Sequence, residues 1–139
     1  IAEEGLAIGK VQLTTCPLHH PQGSIAYRIE IDGSSLVMAT DTEPPEGRLD
    51  ERLAEFISGT NCFVCDAMFT PEEYLKRQGW GHSSWQHGAA LARAGRAGRL
   101  LLSHLSPEHP DRVVDEMVRQ ARLEFRQTDA AREGLCLTL

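Results

Sequence analysis

Apolar and polar residues alternate along the first third of the chain and then change period. Lys10 to Leu18 (KVQLTTCPL) has a strand pattern that ends on His19-His20-Pro21-Gln22-Gly23, and Ser24 to Ile31 (SIAYRIEI) alternates as a half-buried strand does. Asp32-Gly33 is a hairpin-type turn, so the apolar run from Ser35 to Ala39 returns as its antiparallel partner. Residues 1–9 are rich in Gly and Ala without a clear period and read as a lead-in.

Helical spacing then takes over. Arg48 to Ile57 carries apolar residues at 49, 53, 56 and 57, with Gly59 placed to stop the helix. Asn61 to Cys65 is a buried strand that delivers Asp66 at its end. Thr70, Pro71 and Glu73 form a capping box that opens a short helix to about Arg77. Ser83-Ser84-Trp85-Gln86 repeats that signal before an Ala-rich helix ending near Gly95. Arg99 to Ser103 is an apolar strand followed by His104. From Pro110 to Arg126, Val113, Val114, Met117, Val118, Ala121 and Phe125 recur at spacings of three and four, which predicts an amphipathic helix, and Leu135 to Leu139 reads as a last strand. The pattern predicts one domain over residues 1–139: a mixed α/β layer whose sheet is antiparallel at one side and covered by helices.

Bulk properties narrow the function classes. The 139 residues suffice for one core and are too few for two ordinary domains. A net charge of -6 argues against a general nucleic-acid-binding surface, and Arg93, Arg96 and Arg99 read as a solvated helix end. No apolar run reaches membrane-spanning length and no signal peptide is visible, so no membrane partner is expected. Cys16, Cys62, Cys65 and Cys136 lie in apolar, strand-like contexts that suit reduced thiols and a cytosolic setting. On a strand, Cys62 and Cys65 point to opposite faces, which counts against a metal or redox role for their C-x-x-C spacing.

The chemistry concentrates after strand ends. The buried strand Leu36-Val37-Met38-Ala39 runs directly into Thr40-Asp41-Thr42-Glu43-Pro44-Pro45, which sets Asp41 where the sheet stops, either as a turn cap or as a ligand-facing carboxylate. His20, Asp41, Asp66, His82 and His104 each follow a strand or occupy a Gly-rich loop, and such positions fall on one edge of a sheet. Imidazoles and a carboxylate gathered there suit a borderline divalent cation such as zinc, with Asp able to bridge two ions. Neither H-x-x-x-H nor H-E-x-x-H occurs, so the residues keep plainer readings beside this one: His20 as a loop histidine, Asp66 as a turn residue, His104 as a strand end. His82 beside a helix start is disfavoured as a cation. His87 and His109 read as surface residues.

Taken in order, His20-Pro21-Gln22-Gly23-Ser24, Ala39-Thr40-Asp41-Thr42-Glu43-Pro44, Cys65-Asp66-Ala67-Met68-Phe69, Gly79-Trp80-Gly81-His82-Ser83-Ser84-Trp85 and Leu102-Ser103-His104-Leu105-Ser106-Pro107 resemble the carboxyl-terminal half of a metallo-β-lactamase-fold hydrolase, in the branch of the tRNA 3′-processing endonucleases and related phosphodiesterases. The resemblance covers about residues 10–126. It implies that His20 binds one metal, that Asp41 bridges two, and that His104 binds the other. It further implies that His82 protonates the leaving oxygen and that Asp66 orients it. The implied fold is half of an αββα sandwich. The implied cofactor is a pair of divalent ions, zinc with manganese or iron as alternatives, and the implied reaction is phosphodiester hydrolysis by a hydroxide that the two metals activate.

The family's His-x-His-x-Asp-His motif belongs upstream of His20 and is absent from this sequence. The resemblance leaves three ligands of seven, so the chain by itself is expected to bind metal weakly and to be inactive. Together with a start at Ile1, this suggests a piece of a longer protein. Its expected partner is the amino-terminal half of the same fold or a second copy of itself, and its expected substrate a small-molecule or nucleotide phosphodiester. A non-catalytic binding or assembly module that retains the fold is the alternative expectation.

Overall fold

In the computed structural model, which describes residues 5–139, the alternating segments pair into a single sheet. Its strands are β1 (Leu6–Ile8), β2 (Val11–Leu18), β3 (Ser24–Ile31), β4 (Ser34–Ala39), β5 (Cys62–Asp66), β6 (Leu100–Ser103) and β7 (Thr128–Ala130). They lie side by side in chain order. Short turns make β1 to β4 antiparallel, whereas β4 to β7 are parallel. Parallel neighbours need a crossover, and helices supply it: α1 (Glu51–Phe56) between β4 and β5, α2 (Pro71–Tyr74) and α3 (Trp85–Ala94) between β5 and β6, and α4 (Asp111–Glu124) between β6 and β7. No helix among the described residues is long and apolar enough to cross a membrane.

The helices seal one face of the sheet. Cys16, Ala26, Val37, Phe63, Cys65, Leu100 and Leu102 alternate inward along the strands and meet Leu53 and Phe56 of α1, Trp85, Ala89 and Leu91 of α3, and Met117 and Ala121 of α4. Cys62, Val64 and Leu101 point the other way, as period two demands, into a smaller cluster with Leu36 and Leu137. On that outer face the register aligns Leu6, Leu13, Ile29, Leu36 and Cys62 in one row across five strands. Toward β1, Leu6, Ile8, Ile25, Tyr27, Ile31 and Met38 remain exposed on it.

Several boundaries differ from the sequence reading. The lead-in contains β1, which pairs with β2 through Leu6↔Leu13 and Ile8↔Val11, while residues 1–4 lie outside the described residues. Leu135 to Leu139 is not a strand. The sheet edge beside β6 is taken by Thr128–Ala130, and the tail instead crosses the outer face, where the Ser34 hydroxyl donates to the Leu139 carbonyl at 3.0 Å. The helix opened by Thr70 lasts a single turn, although its capping box forms in full: Oγ1 of Thr70 accepts from the Glu73 N–H, and Oε2 of Glu73 accepts from the Thr70 N–H.

His87 and His109 are not surface residues. His87 takes the third position of the capping box that opens α3. Its Nδ1 accepts from the Ser84 backbone N–H at 3.3 Å and lies 3.0 Å from the Ser84 hydroxyl, while Tyr74 packs on its ring edge to face at 4.5 Å. His109 is 7% exposed at its side chain and reaches the Glu73 carboxylate through Nε2 at 3.0 Å. Both are covered by α2, an element too short to leave a periodic signal.

Burial pushes the His87 imidazole below its ordinary value of 6.5, and the nearby Glu43 charge offsets this only in part. Folded His87 therefore binds a proton less readily than the unfolded chain does. Its contribution to stability is complete above the unfolded value and is lost as the pH falls through the folded one. His87→Gln keeps an acceptor at the third helical position but cannot titrate. Between about pH 7 and pH 5 the urea midpoint of the wild-type chain is expected to drop further than that of His87→Gln, and equal drops would contradict this account.

Candidate functional site

The five residues singled out after strand ends meet at one end of the sheet. Asp66 closes β5 with its carboxylate fully buried, and the chain wraps that carboxylate in donors. Oδ1 accepts the backbone N–H groups of Met68 at 3.2 Å and Ser83 at 3.0 Å. Oδ2 accepts the N–H of Asp41 at 3.0 Å and faces Nδ1 of His82 at 3.0 Å and Nδ1 of His104 at 3.1 Å. With three backbone donors already on it, Asp66 is the acceptor toward both rings. Each imidazole therefore donates from Nδ1 and leaves Nε2 free of Asp66: a neutral ring held this way offers Nε2 as a metal ligand, and a ring protonated at both nitrogens can give a proton from it. The hydrogen bond to Asp66 raises the His104 pKa; burial opposes this, and the charges of Asp66 and Asp41 add to it.

Asp41 follows β4 and is pinned from both sides, by its own N–H on Asp66 and by the Ser24 hydroxyl, which donates to its carbonyl at 2.6 Å. Asp41 (φ 57°) and His104 (φ 52°) both adopt the left-handed conformation that non-glycine residues avoid, at a cost of about 1–3 kcal/mol each. The surrounding hydrogen bonds hold them there. Side-chain donor atoms of His20, Asp41 and His82 lie within 4.8 Å of one another, as do those of Asp66, His82 and His104. Asp41 Oδ1 is also 3.9 Å from His104 Nδ1, so its carboxylate stands between the two groups. Among the described residues no other trio of His, Cys, Asp or Glu gathers this closely. Nitrogen and carboxylate donors in this number fit a borderline divalent metal ion. The C-x-x-C pair contributes nothing here, since Cys62 and Cys65 are buried on opposite faces.

One residue the sequence reading passed over organises the rest. Glu43, 5% exposed, accepts the N–H of Gly79 at 2.7 Å on Oε1 and that of Gly81 at 2.8 Å on Oε2. The carboxylate thus ties the loop after Asp41 to the loop that carries His82, and the Ser83 hydroxyl adds a bond to the Thr42 carbonyl at 2.6 Å. Gly81 (φ +90°) packs so closely on His20 that a Cβ there would overlap the imidazole and sit 2.9 Å from the Pro21 ring. On its other side, His20 Nδ1 accepts the Gln22 N–H at 3.2 Å. No local pattern gives Glu43 this role, because the backbone groups that it accepts from lie 36 and 38 residues away.

Residues 2–105, which include all five site residues, match the family described as Beta-lactamase superfamily domain. A ribonuclease Z from Salinibacter ruber is 33% identical over 135 residues, which make up 94% of this chain and 39% of that protein. Among solved structures, the metallo-β-lactamase fold protein YhfI from Bacillus subtilis is similar with a TM-score of 0.81 at 21% identity, over 95% of this chain and 51% of that one. The short form of human tRNase Z has a TM-score of 0.70 at 16% identity, over 96% of this chain and 45% of that one. The chain therefore spans about half the length of these structures and about two fifths of the Salinibacter relative. With three quarters of its length matched and its mixed sheet shared with such structures, the chain belongs to the β-lactamase superfamily domain family.

Proposed function

We propose that this chain carries the proton donor and part of the metal-binding set of a hydrolase that cleaves phosphodiesters. The observation that supports this most is the single buried carboxylate of Asp66 fixing both His82 and His104 through Nδ1, with Asp41 and His20 beside them. In this reading His20 would hold one ion, His104 a second, and Asp41 would serve both, the ions being zinc or alternatively manganese or iron. Bound there, they would supply hydroxide near neutral pH and neutralise charge on a phosphoryl oxygen. The chain's own contribution is the proton. As the P–O bond to the leaving group breaks, His82, protonated at both ring nitrogens, gives its Nε2 proton to the departing oxygen and keeps the Nδ1 proton on Asp66, which holds the ring's orientation. Water and a diester thus yield a monoester and an alcohol. The names of the ribonuclease Z relatives agree with a phosphodiester substrate, and in this reading it is a small-molecule or nucleotide diester.

The remaining ligands would come from a second αβ unit, the amino-terminal half of the same fold or another copy. The exposed apolar rows of β1 to β4 offer the surface on which such a unit would pack.

In the full-length protein, Asp41→Ala is expected to lose metal and activity together. His82→Ala should lower kcat on a dialkyl phosphodiester by about 10²–10⁴-fold with metal content unchanged. Metal loss in His82→Ala would make it a ligand instead, and hydrolysis indifferent to both changes would sink the assignment. Gly81→Ala probes the seat of His20. The added methyl displaces the imidazole, so zinc affinity measured by chelator competition should fall at least about tenfold, and an unchanged affinity would remove His20 from the set.

A further inference from the structure

A line of stacked groups leads away from His82 toward solvent. The Phe69 ring meets His82 edge to face at 6.1 Å. The Arg77 guanidinium lies 5.2 Å from the centre of Phe69 and 5.9 Å from the centre of Trp80. Trp80 itself is 63% exposed, a large apolar surface left open beside a polar site. It does not hang on a slack loop. Gly79 and Gly81 flank it, both are held by the Glu43 carboxylate, and the Trp80 N–H is bonded to the Arg77 carbonyl at 3.2 Å.

Arg77 is equally unusual in its surroundings. A helix continued from α2 would bring it beside Glu73, four residues earlier, but the helix ends after one turn and Glu73 is occupied by Thr70 and His109. Among the described residues the guanidinium has its faces against rings and no carboxylate on its edge. It is a half-buried, fixed cation beside Lys76 in a chain of net charge -6. The edge of a guanidinium offers planar N–H donors that match a phosphate, and an exposed indole offers a face for a planar ring.

We propose that Arg77 and Trp80 form a subsite for the leaving-group side of the substrate, a nucleotide whose base stacks on Trp80 and whose phosphate lies on the edge of Arg77. The inference rests on the hydrolase reading for its placement, since His82 is where the leaving oxygen would receive its proton. It narrows that reading to phosphodiesters bearing a planar base. The sequence of contacts from His82 through Phe69 and Arg77 to Trp80 sets the order of the substrate's parts: the scissile phosphate at His82, the leaving nucleotide's own phosphate on Arg77 and its base on Trp80.

Binding can be read without turnover. Trp85 is 9% exposed, so quenching by a soluble nucleotide reports chiefly on Trp80. Adenosine monophosphate is expected to quench the emission saturably, and ribose 5-phosphate, which lacks the base, to bind about tenfold more weakly by competition. Trp80→Leu, read by calorimetry, should weaken the nucleotide about tenfold or more, Trp80→Phe should restore part of the loss, and Arg77→Met should weaken both compounds. Equal affinities for the two compounds, or variants that bind as the wild type does, would overturn the subsite. A dinucleoside monophosphate and a longer single-stranded RNA then identify the source: similar affinities point to a small nucleotide or a chain end, and affinity that grows with length to an extended strand. Failure of the hydrolase reading shows separately, as a full-length protein that binds the nucleotide with this pattern but cleaves no diester in the presence of zinc, manganese or iron.

Discussion

A fully buried carboxylate with five donors around it is the constraint on which the site depends. Leaving a charge at the end of a central strand costs several kcal/mol unless it is fully solvated by the protein. Asp66 meets that condition by drawing on four separate segments: the strand end before Met68, the loop of Asp41, the loop of His82 and Ser83, and the turn of His104. The same bonds that satisfy the charge fix the relative positions of the groups. Electrostatic need and site geometry are therefore one requirement, and the left-handed backbones of Asp41 and His104 are tolerated because this network over-determines them.

Glu43 repeats the device one layer out. Its two oxygens each take a glycine N–H, which leaves the Trp80 turn no freedom to open without exposing an unpaired buried carboxylate. A loop in most proteins is mobile because few buried groups depend on it. Here a buried charge depends on it directly, and the turn beside His82 becomes part of the framework.

Much of the fold was legible in the sequence because local rules carry it. The alternation of SIAYRIEI, the Asp32-Gly33 turn and the capping box at Thr70 are each decided within a few residues, and each appears where the pattern placed it. The convergence of His20, Asp41, Asp66, His82 and His104 was legible for a different reason: each follows a strand or a Gly-rich loop, and strands that lie parallel in one sheet end at one edge. Long-range choices were not legible. The tail residues Leu135, Leu137 and Leu139 alternate as a strand does, yet Thr128–Ala130 already occupies the edge, and of the three Leu137 packs on the outer face while Leu135 and Leu139 stay exposed. His87 and His109 looked exposed because only a packed neighbour, α2, removes them from water. Glu43 stood in the Asp41 segment without a role of its own, since the glycine N–H groups that it accepts are main-chain atoms whose identity a sequence does not display.

The strict correspondence between strand order and chain order bears on how such a sheet is built. Every strand lies next to the strand that precedes it, so none must be inserted between two already paired, and no crossover has to pass an occupied edge. Such a topology allows growth at one margin only, each paired strand being a template for the next, with helices covering the sheet once the parallel strands from β4 onward are added. A chain emerging from its amino-terminal end can lay the sheet down in the order of synthesis, and the loops that make the site close only as β5 and β6 arrive.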